Sequence, residues 1–137
     1  LLGFDTVYRK NFPDQEIVAV SRKDDRIILT RDIGLLKNRD IFAGCWLRSC
    51  DPEKRLREVL KRYRLQGKTH PFRRCLECNG LIRRAAFSKI AGQVPRGVRE
   101  YCSEFYQCRS CQKAYWKGTH YEKMAAFVEK IVKKGQK

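Results

Sequence analysis

No run of apolar residues in this chain approaches the roughly 18 that a bilayer-spanning helix needs, so no transmembrane span is expected. The N-terminus shows no signal-peptide pattern. It opens Leu1-Leu2-Gly3-Phe4 without a Met, and the chain reads as a trimmed piece with something upstream missing. There is no low-complexity segment, and no internal repeat beyond one duplicated cysteine motif. Histidine is confined to His70 and His120, and histidines that stand alone are more often structural or surface groups than ligands. Acidic side chains are scarce: 15 Asp and Glu face 31 Lys and Arg, for a net charge of +16. Such a surplus suits an anionic partner, nucleic acid first and an anionic membrane second. Apolar residues make up 42% of the 137 positions, enough for a core, so one domain or two small ones should fold.

Cysteine is where the chain is rich. Seven are present, and the odd one over points to a reducing, cytoplasmic setting. Four of them form two pairs, Cys75-Leu76-Glu77-Cys78-Asn79-Gly80 and Cys108-Arg109-Ser110-Cys111, separated by residues 79–107. Each Cys-x-x-Cys can place two thiolates on one cation from a single tight turn, and Gly80 follows where a turn often needs positive φ. Two pairs complete a tetrahedral four-thiolate site, which has no open position and is therefore structural, with one zinc per chain. The spacer exceeds the usual roughly 15–20 residues and should carry a small insertion. Two other readings exist. A redox Cys-x-x-Cys is normally single and sits near a βαβ pattern. A pair of disulfides would need an oxidising compartment, which nothing in the chain indicates. Cys45, Cys50 and Cys102 read as buried or free thiols, since four ligands already fill the site.

The element pattern is α/β. A strand is expected at Phe4–Tyr8 after Gly3 in a helix C′ position. Asp14 should cap a helix Gln15–Arg22 with Ile17, Val18 and Val20 on its apolar face. Arg26–Thr30 is a β-branched run without alternation, so it suggests a strand covered on both faces. A short element at Gly34–Asp40 and a second buried strand at Cys45–Arg48 follow. Asp51 and Pro52 open a helix to Leu65 with Leu56, Val59, Leu60 and Tyr63 on one face. This order implies a mostly parallel sheet with flanking helices. The boundary falls at Gln66–His70, dividing the chain into 1–68 and 69–137. The second part should hold a short helix near Pro95–Tyr101, a zinc hairpin at Tyr106–Trp116, and a helix Thr119–Lys133 with Met124, Phe127, Val128 and Ile131 on one face. Lys133, Lys134 and Lys137 read as a basic tail.

In open parallel sheets, ligands bind beyond the carboxyl ends of the strands. Asp32 directly follows the strand ending at Thr30, Asp14 and Glu16 start a helix after the preceding strand, and Asp51 follows the next. Together they would hold Mg²⁺ or Mn²⁺ through oxygen, activating water against a phosphodiester while the Lys and Arg surplus holds the backbone. Each acid also has a plain role. Asp51 and Asp14 are N-cap candidates, Glu16 suits a helix N-terminus, and Asp32 can cap the element at Gly34. Asp24, Asp25 and Asp40 read as turn and loop residues.

Several motifs taken together resemble the Mut-seven C-terminal RNase domain family. They are Leu2-Gly3-Phe4-Asp5-Thr6, Ile28-Leu29-Thr30-Arg31-Asp32, Arg48-Ser49 with Asp51-Pro52, Pro71-Phe72 before Cys75-x-x-Cys78-Asn79-Gly80, and Tyr115-Trp116-Lys117-Gly118-Thr119-His120. The resemblance runs to about Met124. It implies a PIN-like domain with an appended zinc ribbon and C-terminal helix, and a ribonucleolytic activity. Asp32 then matches the Thr-x-Asp acid, and Asp14 or Glu16 the acid opening the middle helix. Cys75, Cys78, Cys108 and Cys111 match the zinc ligands. The family pattern opens with a strand ending in Asp that this sequence does not include: without that strand one carboxylate of the metal site is gone, and with it the site could be whole.

Two functions follow. The first is a metal-dependent ribonuclease whose ribbon presents RNA. Arg31, Arg73, Arg74, Arg83, Arg84, Lys113, Trp116, Lys117 and His120 are the candidate RNA contacts, with Tyr115, Tyr106 and Phe105 as further stacking groups. Those aromatics are better suited to the ribbon's own small core. The second is a non-catalytic RNA- or protein-binding module supporting a nuclease or ribosome-associated partner. A DNA-binding zinc protein is a third and weaker reading, because no helix-turn-helix is present. Which RNA is bound and what oligomer forms are open at this level.

Overall fold

The computed structural model describes residues 1–133, so Lys134 and Lys137 of the expected basic tail lie outside the described residues. The chain forms two compact units. One is Tyr8–Tyr63. The other joins Leu1–Val7 to the chain from Arg64 onward. The expected division ran at 68/69; here the first seven residues pack with the C-terminal part.

In Tyr8–Tyr63, α1 (Asp14–Lys23) starts after Pro13 in extended conformation. Pro13 holds the N-cap position without a side-chain hydrogen bond, so the expected Asp14 cap is not formed. Asp14 is the first helical residue instead, where it and Glu16 suit the positive end of the helix dipole. The turn after α1 places Asp25 at φ 50 and is closed by Ser21 Oγ donating to Arg26 O at 2.6 Å. β1 (Ile28–Thr30) then leads through α2 (Ile33–Leu36) to β2 (Gly44–Trp46), which runs parallel to β1 with Ile28 opposite Gly44 and Thr30 opposite Trp46. Val18, Ile28 and Leu35 form the buried core on one face, with Ile17, Leu36 and Ile41 around them. Gly44 lies close to this core: a Cβ there would meet Leu36 Cδ2 at 2.5 Å, and the Leu36 side chain would have to shift. On the other face the fully buried Cys45 meets Tyr63, which follows α3 (Pro52–Arg62).

Two expectations fail in this unit. The mostly parallel sheet is reduced to β1 and β2, because Phe4–Tyr8 forms no strand. Nor are the strands covered on both faces: Ile27, Leu29 and Trp46 are 43%, 45% and 39% exposed. Two three-residue strands with three helices supply too little surface to bury every apolar side chain.

The lost strand has a physical cause. Leu1–Val7 belongs to the unit of the C-terminal part, and its backbone is bonded within that unit. Leu1 O and Leu2 O accept from Phe72 N and His70 N at 3.0 and 2.9 Å. The Asn79 amide donates to Phe4 O at 3.1 Å and accepts from Thr6 N at 2.8 Å. Gly3 allows this path at φ +89, and a Cβ on it would sit 2.1 Å from His70 O.

The rest of this unit is a three-stranded antiparallel sheet, β3 (Ile82–Ala85), β4 (Phe105–Cys108) and β5 (Ala114–Trp116), in that order. Ile82 pairs with Cys108, and Tyr106 pairs with both Arg84 and Tyr115. The long spacer carries the expected insertion, α4 (Phe87–Ile90) and α5 (Val98–Tyr101). Ile90, Val98 and Cys102 from the insertion bury Phe105 and Ala114 of the sheet, with Phe87 and Trp116 packed against them. The insertion is also fastened by Gln93, whose amide accepts from Ala114 N at 2.8 Å and donates to Gln112 O at 3.0 Å. The last helix, α6 (Thr119–Lys133), buries Val128 and Ile131 as its periodicity requires. Among the described residues no helix is long and apolar enough to cross a membrane.

Gly3→Ala should destabilise the protein by about 1–3 kcal/mol, from the left-handed φ and the clash together. Gly67→Ala, where an added methyl meets nothing within 4 Å, should stay within about 0.5 kcal/mol. Equal midpoints for the two variants in denaturant titration would refute this account of Gly3.

Candidate metal centre

The two Cys-x-x-Cys motifs fold as matching knuckles. In the first, Asn79 N donates to Cys75 O at 3.0 Å, Cys75 N to Gly80 O at 2.8 Å, and Gly80 N to Cys78 Sγ at 3.4 Å. In the second, Cys108 N donates to Lys113 O at 2.9 Å and Ser110 N to Cys108 Sγ at 3.4 Å. Each knuckle is closed by a residue at positive φ, Asn79 at 62 and Gln112 at 64. The expected positive φ therefore belongs to Asn79. Gly80 is needed for a different reason: a Cβ there would meet Ser110 Oγ at 2.6 Å and Cys108 Sγ at 2.9 Å. Its missing side chain lets the knuckles meet.

Their meeting brings the ligand atoms of Cys75, Cys78, Cys108 and Cys111 within 4.8 Å of one another. The Cys75–Cys111 and Cys78–Cys108 sulfur pairs are each 3.5 Å apart. A tetrahedral ion with metal–sulfur bonds of about 2.3 Å requires sulfur–sulfur edges of about 3.8 Å. A disulfide would need about 2.05 Å, and all seven cysteines are free. The donor set and its spacing fit a structural metal ion such as zinc. Cys75 and Cys108 are buried, and Cys78 and Cys111 lie at the surface. The other thiols stand apart from this cluster. Cys45 is buried, Cys102 approaches Lys117 O at 3.3 Å, and exposed Cys50 accepts from Arg31 Nη2 at 2.9 Å.

Electrostatics follow from this crowding. Burial works against the Cys75 thiolate, but hydrogen bonds from the Tyr115 hydroxyl and the backbone at Cys78 and Glu77 outweigh it and bring the thiol to about 6. Cys111 gains from the Lys113 N–H, yet burial and the three neighbouring thiols push it up to about 12. Four adjacent sulfurs cannot all ionise unaided; a cation is what removes the last protons. Tyr115 closes the arrangement. Its hydroxyl lies 3.0 Å from Cys75 Sγ and accepts from Leu76 N at 3.0 Å.

The acids predicted from sequence are placed differently. Asp32 Oδ1 caps α2, accepting from Gly34 N at 2.7 Å and Leu35 N at 3.4 Å. Asp51 Oδ1 caps α3 through Glu53 N at 2.9 Å. Glu16 pairs with Arg9 at 2.7 Å, and Asp14 is exposed. Among the described residues these carboxylates do not gather into a metal-holding group, as the four cysteines do.

The predicted RNA contacts divide into two sets. Arg84 and Lys117 pair with Glu104 at 3.2 and 3.5 Å, and Lys113 pairs with Glu77 at 2.6 Å. Arg74 is a structural tie, donating to Asn79 O at 3.0 Å and lying 3.8 Å from Asp5. Arg73 and Arg83 are exposed without an ion pair among the described residues, and His120 is exposed at the start of α6. Phe105 is buried in the ribbon core, and the partly buried Trp116 packs against the same cluster. Sequence reasoning missed the roles of Tyr115, Asn79 and Gln93. The Asn-Gly after Cys78 was the one visible hint, and it marks a turn without naming its partners.

Gly80→Ala should weaken metal binding by about tenfold or more, measured by competition with a chromophoric chelator. Acidification should release the ion, because protons compete for the same sulfurs. The free Cys75 thiol is brought to about 6, and the bound ion moves release below that value. Occupancy that does not fall at all between about pH 6 and pH 3 would contradict this scheme.

The family model described as Mut7-C RNAse domain matches residues 1–128. No curated protein and no solved structure matches the chain. A match that takes in both cysteine pairs and nearly all of each unit shows that this chain belongs to the Mut7-C RNAse domain family.

Proposed function

We propose that the protein is a metal-dependent ribonuclease whose four-cysteine ribbon, built on zinc, helps to hold RNA. The observation that carries this reading is the Mut7-C RNAse domain match over residues 1–128. The net charge of +16 supports a polyanionic partner. Among the candidate contacts, Arg73 and Arg83, exposed and without an ion pair among the described residues, are the cations readiest for phosphate. In the unit Tyr8–Tyr63, Asp32 follows β1 at the carboxyl end of a parallel pair, a placement that favours ligand binding. A Mg²⁺ or Mn²⁺ ion would be the partner of Asp32, with Asp14, Glu16 and Asp51 as further candidates. These carboxylates do not by themselves assemble a cation site, so the proposed activity needs more than the residues gathered here. Seven free cysteines agree with a reducing, cytoplasmic setting.

One observation favours the second reading, a non-catalytic RNA-binding module. Asp32 and Asp51 already have structural work as helix caps. The substitution Asp32→Asn separates the two readings, because Asn caps a helix about as well as Asp but carries no charge. Cleavage of a labelled single-stranded RNA with Mn²⁺ should fall by about 100-fold in Asp32→Asn, the scale expected for losing a charged catalytic group, while thermal stability stays level. RNA binding without cleavage, unaffected by Asp32→Asn, would leave the binding module as the function. Metal analysis of the purified protein should return about one zinc per chain. Protein free of zinc yet fully folded would remove the ribbon's structural ion from the proposal.

A further inference from the structure

Tyr115 lies on β5 in the second hairpin, but both atoms its hydroxyl contacts belong to the first knuckle. The oxygen is 3.0 Å from Cys75 Sγ and accepts the Leu76 N–H at 3.0 Å. The direction of the sulfur contact follows from the chemistry of the donor set. A thiol at Cys75 could donate or accept. A cysteine holding a cation is a thiolate and can only accept. The Leu76 N–H already occupies the phenol oxygen as acceptor, which leaves the single hydroxyl proton for Cys75 Sγ. The contacts of the other three sulfurs are backbone N–H groups and one another: Gly80 N on Cys78, Ser110 N on Cys108, and Lys113 N on Cys111.

We infer that Tyr115 is a positioning residue of the metal centre, donating its hydroxyl proton to the Cys75 thiolate and thereby tying the second hairpin to the first knuckle. The inference rests on reading the four cysteines as a metal site. A hydrogen bond of this kind draws charge from one sulfur of the set and fixes its orientation. It makes the four ligands unequal. Cys75 is buried at 2% exposure and capped by a hydroxyl, whereas Cys78 and Cys111 are open to solvent. Attack by an electrophile therefore begins at Cys78 or Cys111, and the buried Cys75 and Cys108 react later.

The test uses the full chain loaded with cobalt(II), comparing wild type with Tyr115→Phe, which keeps the ring and removes the proton donor. The thiolate-to-cobalt charge-transfer band should move to lower energy in the variant, because an uncapped Cys75 is richer in electrons. Transfer of zinc to a chelator should become about 10–100-fold faster, and alkylation of Cys75 should move earlier in the order. An unchanged band and an unchanged transfer rate would overturn the assignment. Since a variant can fail to fold, wild type offers a second measurement. In the cadmium-loaded protein the Tyr115 hydroxyl proton should be a resolved, slowly exchanging resonance, and rapid exchange with solvent would overturn the inference without any substitution. Absence of cobalt, cadmium and zinc binding altogether would overturn it too, and would take the metal-site reading with it. Binding with a normal spectrum in Tyr115→Phe removes the tyrosine's role alone.

Discussion

Four sulfurs within 4.8 Å of one another set the terms for the unit that contains them. Thiolates at that separation repel, and thiols at that separation waste their packing on weak contacts. The arrangement is favourable when a cation sits among them, and its binding free energy is then folding free energy. Everything nearby serves the approach. Gly80 has no side chain because Ser110 and Cys108 occupy the space. Asn79 and Gln112 take left-handed conformations to close the knuckles. Gln93 reaches from the insertion to hold the second knuckle from outside. The apolar core of the sheet and insertion is small, with Ile90, Val98, Cys102, Phe105 and Ala114 at its centre. A core of that size benefits from a metal staple.

The same knuckle reaches the start of the chain. Asn79 holds Phe4 O and Thr6 N with its amide while its own N–H closes the turn on Cys75 O. Arg74, one residue before Cys75, bonds Asn79 O and faces Asp5. The Leu-Gly-Phe-Asp-Thr stretch and the Cys-x-x-Cys-Asn-Gly motif, some seventy residues apart in sequence, are thus two halves of one local structure. Each stretch holds backbone or side-chain groups of the other in place. This explains why Leu1–Val7 leaves its sequence neighbours to pack with the C-terminal part.

What could be read in the sequence depended on whether the cause was local. The cysteine spacing, the insertion, the second hairpin, and the helices at Pro52 and Thr119 all announce themselves through short-range chemistry, and they formed. Phe4–Tyr8 has the composition of a strand. Whether it becomes one depends on what meets its backbone, and Asn79, which takes Phe4 O and Thr6 N, lies far away in sequence. The capping error at Asp14 is of another kind. Proline fixes its own φ and can itself stand before the first helical residue, so the expected cap was displaced by one position. Tyr115 was legible as an aromatic in a basic strand, and so as a candidate for base stacking. Its actual partner, Cys75, is visible only once the two hairpins face each other.

Asp32 and Asp51 show how a structural and a functional role can share one side chain. A cap contributes about 1 kcal/mol and uses a carboxylate oxygen to accept backbone N–H groups. In both residues that oxygen is Oδ1. Oδ2 has no hydrogen bond among the described residues in either case. Capping therefore fixes the orientation of each carboxylate at the end of its loop while leaving one oxygen uncommitted. It also draws charge from the group through the helix N-terminus, which would moderate its hold on a cation. Capping alone thus does not argue against the proposed catalytic role of these acids. The stronger constraint is number. A divalent cation asks for several oxygens at once, and the described carboxylates form no group of three or more, so the activity proposed for this chain turns on what else supplies oxygen beside Asp32.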